Sequence, residues 1–529
     1  MADGMISLTI DGVPVSVPPG TLVIEAAKQA GVLVPHYCYH PGLPAGYQLS
    51  IPAAGVCRMC LVKIEKTPKL QIACAVQVAE GMVVETQAPE AKAQRKGVLE
   101  FLLINHPLDC PICDQAGECE LQDFTFQEGR PATRYTPTYP KRFNPVEDFG
   151  PDILYVPNRC IYCVRCVRFM QDVAKEPVLN VSERGDRAYI GIHPDARLDH
   201  PWAGNVVDLC PVGALLSKDF LHKARAWELD KSASICTGCS QGCNVTLDLR
   251  DSTVVRVRPR PNLDVNQYFL CDHGRANYRW MNRGDRIEAP LVRSNGELVA
   301  TDWDTALDRV RALVRGAGGG GRAVTVASPR ASTEALFLAR RLLSQFDWNG
   351  GVQVVMGEEA PLAGVPNLAL RPERAPNGKG AALLGYTHDI AATLSKAAAA
   401  SLVFVLDEPD VPVETKGVLI YAGTVLPAQA RTAEVVLPLA NVAEEDGTYV
   451  NRDGRVQRYL QAKPAPGMAR PAWWALGELV AELEGTAHPG SAADVFDGLA
   501  GSVEAFAGLS YGALGLQGRP VATDAGVTA

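Results

Sequence analysis

The chain has 529 residues, 47% of them hydrophobic and 21% charged, which is too long for one ordinary core and too apolar for a disordered segment. Its 51 basic and 59 acidic residues leave a net charge of -8, so the balance offers no general attraction for nucleic acid or an anionic membrane. Met1-Ala2-Asp3-Gly4 opens no basic segment followed by an apolar run, and no uninterrupted apolar stretch has the length of a membrane span. The expectation is a chain neither exported by that route nor threaded through a bilayer, with its 15 cysteines kept reduced and free to hold metal rather than disulfides.

Residues 5–17 read as two short strands around an Asp11-Gly12 turn, and Thr21 is placed to cap a helix that stops at Gly31. Behind this small α+β unit come Cys38, the pair Cys57-Arg58-Met59-Cys60, and Cys74. Four thiols so placed are the ligand set of a plant-type [2Fe–2S] ferredoxin. The long Cys38 to Cys57 interval departs from that pattern and makes GYQLSIPAAG an excursion that loops out. A structural zinc site, also satisfied by four thiolates, is the alternative.

An amphipathic stretch then leads to His106, Cys110, Cys113 and Cys119. The three thiols lack a fourth ligand, and the imidazole of His106 completes a [4Fe–4S] set, making the site less negative and raising its potential. A zinc site, or a bystander role for His106, stays open. The next set is tighter: Cys160, Cys163 and Cys166 at two-residue intervals, with Cys210-Pro211 further on. It matches the run that wraps thiolates around a [4Fe–4S] cubane, and Cys210 closes the same cluster because only one triplet of this kind occurs. Cys236, Cys239, Cys243 and Cys271 make a further four of [4Fe–4S] spacing. Fifteen cysteines and one histidine thus fill four sets, leaving no catalytic thiol. No cysteine follows Cys271.

The later chain alternates strand-like AVTVA and SLVFVL with helix-like ASTEALFLARRLLSQF, the pattern of a parallel α/β sheet. Gly316, Gly318 and Gly321 fit a dinucleotide fingerprint but precede a strand, so they read as a flexible helix-to-strand linker. Residues 130–152, rich in proline, read as a connector or partner-docking strap. The Gly/Ala-rich tail after about residue 485 reads as weakly ordered.

The combination YCYHPGL…GVCRMCLVKIEK, HPLDCPICDQAGECELQD and RCIYCVRCVRF…LCPVGAL closely resembles the large iron–sulfur subunit of the peripheral arm of bacterial NADH–quinone oxidoreductase, respiratory complex I. ICTGCSQGCNVTL…LCDHGR is similar to the cluster-binding subdomain of molybdopterin oxidoreductases, and TAEVVLPLANVAEEDGTYVNRDGRVQRY, with Gly447 and Gly454 at turns, to a recurrent segment of those enzymes. The resemblance implies α+β ferredoxin-like modules followed by a shortened α/β molybdopterin-oxidoreductase-like domain without its cofactor. The boundaries expected are 1–88 ([2Fe–2S] β-grasp domain), 89–129 (the His106 module), 130–228 (ferredoxin-like [4Fe–4S] module), 229–285 (Mo/W-type cluster subdomain), 286–485 (degenerate α/β domain) and 486–529 (tail). It implies one [2Fe–2S] and three [4Fe–4S] clusters and no flavin. Electrons from NADH through FMN on a neighbouring subunit would enter at the Cys38 site, pass the Cys160 and His106 sites, and leave towards quinone. The implied partners are the flavin-bearing and other peripheral-arm subunits, with no nucleic acid. The implied place is the cytoplasmic side of the inner membrane, touched only through the complex. A molybdenum or tungsten formate dehydrogenase subunit, the diaphorase subunit of a soluble hydrogenase, and a zinc-stapled scaffold are the competing readings.

Overall fold

The computed structural model describes residues 4–43, 54–135, 143–318, 320–408 and 410–522. Most of the excursion between Cys38 and Cys57 lies outside them, as does part of the proline-rich connector. The chain forms two compact units. The first comprises residues 1–229 with Leu362–Pro366, and the second the remainder.

In the first unit, strands Val13–Val17, Ile6–Ile10, Val83–Glu85, Leu61–Ile64 and Gln71–Ile72 form one sheet in that order. Asp11 and Gly12 both have positive φ, 46° and 81°, which two-residue hairpins of matching twist require. Helix Val23–Gln29 turns Val23, Ile24, Ala26 and Ala27 onto this sheet. Its N-cap is Leu22, not Thr21, whose hydroxyl instead donates to the Pro18 carbonyl at 2.7 Å. The capping expectation therefore fails because the hydroxyl is spent on the preceding turn.

Helix Pro89–Asn105 and helix Glu120–Glu128 follow. They are tied by fully buried Arg95, which meets Glu128 at 3.0 Å and donates to the Thr86 carbonyl at 2.9 Å. Further on, strands Leu215–Ser217, Ile153–Tyr155 and Glu147–Asp148 form a small sheet. Helix Arg165–Arg168 runs directly into a π turn, Phe169–Val173. The distant segment Leu362–Pro366 returns to this turn: Gly364 donates to the Val173 carbonyl at 2.7 Å, and a Cβ there would lie 2.6 Å from the Asp172 carbonyl oxygen.

The second unit begins with an antiparallel meander, Asp230–Ile235, Asn244–Arg250 and Thr253–Pro259. Its main sheet runs Glu297–Ala300, Leu291–Ser294, Val435–Pro438, Val418–Gly423, Leu402–Leu406, Arg322–Ala327, Asp347–Val352. The last five are mutually parallel, and the Leu291–Ala300 hairpin joins antiparallel. Leu402–Leu406 is buried along its whole length, as a parallel strand covered on both faces must be. Helix Thr333–Leu342 is capped by Ser332, which accepts from Ala335 N at 3.1 Å, and helix Trp303–Gly316 by Asp302. The glycine-rich stretch after Gly316 connects that helix to strand Arg322–Ala327.

Two expectations need correction here. Gly447 opens strand Gly447–Val450 rather than a turn; a Cβ on it would lie 2.4 Å from the Tyr459 hydroxyl, so close packing, not φ, demands glycine. Gly454, with φ 76°, does sit in a turn. The stretch after 485 is ordered through residue 522: Ser491 caps helix Ala492–Ser502, whose Val495, Phe496 and Leu499 join Phe506, Tyr511 and Leu514 in the core. The apolar residues are few, but their three- and four-residue spacing gives the helix one buried stripe.

Candidate iron–sulfur centres

In the first set, Cys38, Cys60 and Cys74 are buried and Cys57 half-buried. Arg58, between the paired cysteines, takes a left-handed φ of 56°, which curls the pair back on itself. The sulfurs hydrogen-bond to one another: Cys38 with Cys57 and Cys74, and Cys60 with Cys74. Bonds from Cys57 and Cys74 hold the Cys38 thiol well below the ordinary range, and the bond to Cys38 lifts both partners above it. The Cys74 thiol likewise lowers Cys60, so the four sulfurs act on one another's ionisation, and a cation here would favour the thiolates.

Cys110 is exposed, while Cys113 and Cys119 are buried. Burial pushes Cys119 up to about 11, and the Cys113 and Cys110 sulfurs add to it. A Cβ on Gly213 would sit 2.2 Å from the Cys113 Sγ, so only glycine lets the Cys210-Pro211-Val212-Gly213 turn approach this sulfur. His106 stands at the C-cap of helix Pro89–Asn105. It lines a cavity with Asn105, Asn158, Cys160 and Tyr162.

Cys160, Cys163, Cys166 and Cys210 line one cavity, closed by Tyr155, Ile161, Arg165 and Leu215. Tyr162 and Val164 both have left-handed φ, 53° and 57°. Such a conformation costs a non-glycine residue about 1–2 kcal/mol, and for β-branched Val164 it is an outlier of the kind that marks functional sites. Alternating these turns with the cysteines directs all three thiols to one side. Tyr162 N donates to the Cys160 Sγ at 3.4 Å. Burial pushes Cys160 up to about 12 and raises Cys163, Cys166 and Cys210 as well.

Cys236, Cys239, Cys243 and Cys271 are all buried. Cys236 N donates to the Cys243 carbonyl at 2.8 Å, closing the loop between the first two meander strands. Gly238 N meets the Cys236 Sγ at 3.4 Å, and Gly274 N the Cys271 Sγ at 3.3 Å. Cys271 is the N-cap of helix Asp272–Ala276. Gln457 and Asn451 brace the loop from the neighbouring hairpin, donating to the Gly242 and Gln241 carbonyls at 3.0 and 3.3 Å. Burial pushes Cys236 up to about 12, with Cys239 adding to it.

Among the described residues, no three histidine, cysteine, aspartate or glutamate side chains are gathered as for a single metal ion. Cubane clusters ask for a looser grouping, because each ligand binds a different iron. The donor chemistry fits: soft sulfurs, mostly buried, whose ionisation burial opposes, aided by backbone N–H groups, and therefore suited to a cationic cluster core.

Sequence reasoning passed over the arginines between the thiols. Arg159, beside Cys160, pairs with Asp109, beside Cys110, at 2.9 Å. Arg165 grips Glu120, beside Cys119, at 2.9 and 3.1 Å and donates to the Leu209 carbonyl, beside Cys210, at 3.2 Å. Arg168 donates to the Cys38 carbonyl at 3.0 Å. Arg165 and Arg168 stand three apart on one helix, a spacing that puts both on one face and was readable in VRCVR.

Thiol sets on ferredoxin-type frames, followed by a parallel α/β body, define an iron–sulfur-binding class of protein with a molybdopterin-oxidoreductase-like domain. Residues 3–89 match the 2Fe-2S iron-sulfur cluster binding domain, 95–134 the NADH-ubiquinone oxidoreductase-G iron-sulfur binding region, and 150–216 the ferredoxin-like domain of NADH-quinone oxidoreductase subunit 3. Residues 229–283 match the molybdopterin oxidoreductase Fe4S4 domain and 379–482 molybdopterin oxidoreductase. The G subunit of Rickettsia bellii NADH-quinone oxidoreductase is 41% identical over 65% of this chain and 49% of its own length. The mitochondrial 78 kDa subunit of Neurospora crassa NADH-ubiquinone oxidoreductase is 44% identical over 58% and 40%, and the 75 kDa subunit of Reclinomonas americana 38% over 68% and 50%. A solved NAD+-reducing [NiFe]-hydrogenase chain is 30% identical, covering 41% of this chain and 90% of that one, with a TM-score of 0.36. In its iron–sulfur part this chain is similar to these large NADH-quinone oxidoreductase subunits. The chain spans about half the length of the curated relatives it matches.

Proposed function

We propose that the chain relays electrons within an NADH–quinone oxidoreductase, from NADH by way of FMN on a neighbouring peripheral-arm subunit towards quinone, in a complex coupled to proton translocation. Cys38, Cys57, Cys60 and Cys74 would hold a [2Fe–2S] cluster. Three [4Fe–4S] clusters would be held by His106 with Cys110, Cys113 and Cys119; by Cys160, Cys163, Cys166 and Cys210; and by Cys236, Cys239, Cys243 and Cys271. Such clusters supply reversible one-electron transfer at potentials graded by charge, hydrogen bonding and exposure. The residues bury most of the sulfurs, point backbone N–H groups at them, and within the first unit fix its three sites against one another.

The lacing of the first unit is the observation that carries this reading. The Cys160 module bonds through Arg168 to the Cys38 carbonyl, and through Arg159 and Arg165 to the residues flanking Cys110 and Cys119. It therefore touches the segments of both other sites, as a member of a relay would. No helix among the described residues is long and apolar enough to cross a membrane; attachment on the cytoplasmic face through partner subunits is part of the proposal.

The α/β body does not fit a pterin dinucleotide. Phosphates would enter outside the carboxyl ends of strands Arg322–Ala327 and Leu402–Leu406, where the strand order reverses. There the second strand leads into Asp407 and Glu408, both raised by burial, Glu408 to about 7. Thr424 N and Oγ, donors that could meet a phosphate there, are spent on Asp407 at 2.8 Å, which supports a cofactor-free scaffold. Metal analysis and low-temperature EPR of anaerobically purified protein test the reading. About 14 iron atoms per chain are expected with no stoichiometric molybdenum, tungsten, zinc or flavin; stoichiometric zinc or molybdenum with little iron would overturn it.

A further inference from the structure

Cys166 is followed two residues later by Arg168, which is 8% exposed and closes the short helix before the π turn. Arg165, one turn back, is matched by the Glu120 carboxylate. Arg168 instead reaches out of its own module and donates to the Cys38 carbonyl at 3.0 Å. Burial works against its charge, while Cys38, Asp172 and Cys163 favour it. Its guanidinium thus feels sulfurs of two different sets at once. Asp172, also buried, lies four residues on in the π turn. That turn is pinned by Gly364, which bonds the Val173 carbonyl at 2.7 Å and leaves no room for a Cβ against the Asp172 carbonyl.

We propose that Arg168 is a positioning residue shared by two centres: it fixes the Cys38 loop against the Cys160 module and lends both sites one positive charge, so that their potentials move together. This rests on the ligand assignment proposed above. Reduction adds negative charge to a centre, and a fixed cation in a poorly screened interior stabilises the reduced form, raising the potential. Asp172 opposes it. Arg168, at the end of its helix, and Asp172, in the pinned turn, thus act on the two sites with opposite signs.

Redox titration followed by low-temperature EPR, on the anaerobically purified full chain, decides the matter. Arg168→Gln, which keeps an amide donor but loses the charge, should lower the midpoints of both the [2Fe–2S] centre and the Cys160 centre and leave the Cys236 centre unmoved. Arg168→Lys should restore most of both shifts. Asp172→Asn should move both midpoints upward, and it carries the test if Arg168→Gln fails to accumulate with its clusters. Cluster-loaded variants that titrate at wild-type potentials, or in which only one of the two centres moves, would overturn the proposal. A wild-type chain without a [2Fe–2S] signal would instead overturn the ligand assignment.

Discussion

Strand Leu402–Leu406 of the second unit is buried from end to end and flanked by parallel strands on both sides. In the first unit, strand Ile153–Tyr155 has three residues and leads at once into a loop lined by thiols. The second unit has a large apolar core shared by sheet and helices. Outside its N-terminal sheet and helix Pro89–Asn105, the first unit is built of short elements, and its parts are joined by Arg95, Arg159, Arg165 and Arg168, each at most 8% exposed. A buried ion pair is costly to form and more costly to break, about 3–5 kcal/mol when one partner is lost. Such pairs fix positions better than they add stability. The contrast teaches that the α/β body holds its shape by hydrophobic burial, whereas the Cys110 and Cys160 modules depend on their arginine network and on the metal-coupled folding that their thiols permit.

The largest effect expected from this contrast separates two cysteines. With Cys163→Ser, NADH-to-quinone turnover of the assembled complex should be abolished, because a gap in the relay cannot be bypassed. Cys239→Ser should lower yield or assembly, yet leave turnover per intact flavin nearly unchanged, on the proposal that its site ties Cys271 to the 236–243 loop rather than carrying the main electron flow. A fully assembled Cys239→Ser complex with every other cluster present and turnover lost would break the comparison.

A smaller effect tests how tightly the backbone approaches the sulfurs. At Gly213 an added Cβ would meet the Cys113 Sγ at 2.2 Å, whereas at Gly238 the nearest atoms are His273 Cδ2 at 3.2 Å and the Cys236 Sγ at 3.4 Å. Gly213→Ala should therefore lose or broaden the EPR signal of the Cys110 centre, and Gly238→Ala should keep its centre in place. Equal, intact spectra in both would show that the Gly213 turn can yield.

Much of this was legible in the sequence because cysteine spacing and strand–helix alternation are local signals. Cys160, Cys163 and Cys166 announce a wrapped loop, and the apolar run SLVFVL announces a buried parallel strand. Thr21 misled because a hydroxyl near a helix start can bond backwards to Pro18 as readily as forwards. Gly447 misled because glycine serves close packing as well as turns, and Tyr459 is not its neighbour in sequence. The arginine lacing escaped for the same reason: Arg168 and Cys38 are 130 positions apart, and nothing local marks their contact. The return of Leu362–Pro366 to the first unit is likewise a purely tertiary event.

The smallest effect concerns pH and sharpens the comparison from the side of the second unit, whose buried acids include carboxyls as well as the thiols of Cys236, Cys239, Cys243 and Cys271. Glu445 accepts from Tyr459 Oη at 3.2 Å and from Ala472 N at 2.8 Å, and Glu334 takes both bonds of Thr448. Burial pushes Glu445 up to about 8 and Glu334 to about 7, from an ordinary value of 4.5. Below pH 4.5 folded and unfolded chains bind these protons alike, so stability does not depend on them. Between pH 4.5 and the folded values the folded unit holds protons that the unfolded chain has released, and each such group removes ~1.4 kcal/mol of stability per pH unit. The loss is complete once the pH passes about 8. Glu445→Gln deletes one of the two titrations while keeping a side chain that can bond Ala472 N and Tyr459. Thermal unfolding of the second unit, followed by circular dichroism from mildly acidic to mildly alkaline pH, should therefore vary less in the variant than in the wild type. An undiminished pH dependence in the variant would place the titrating group elsewhere.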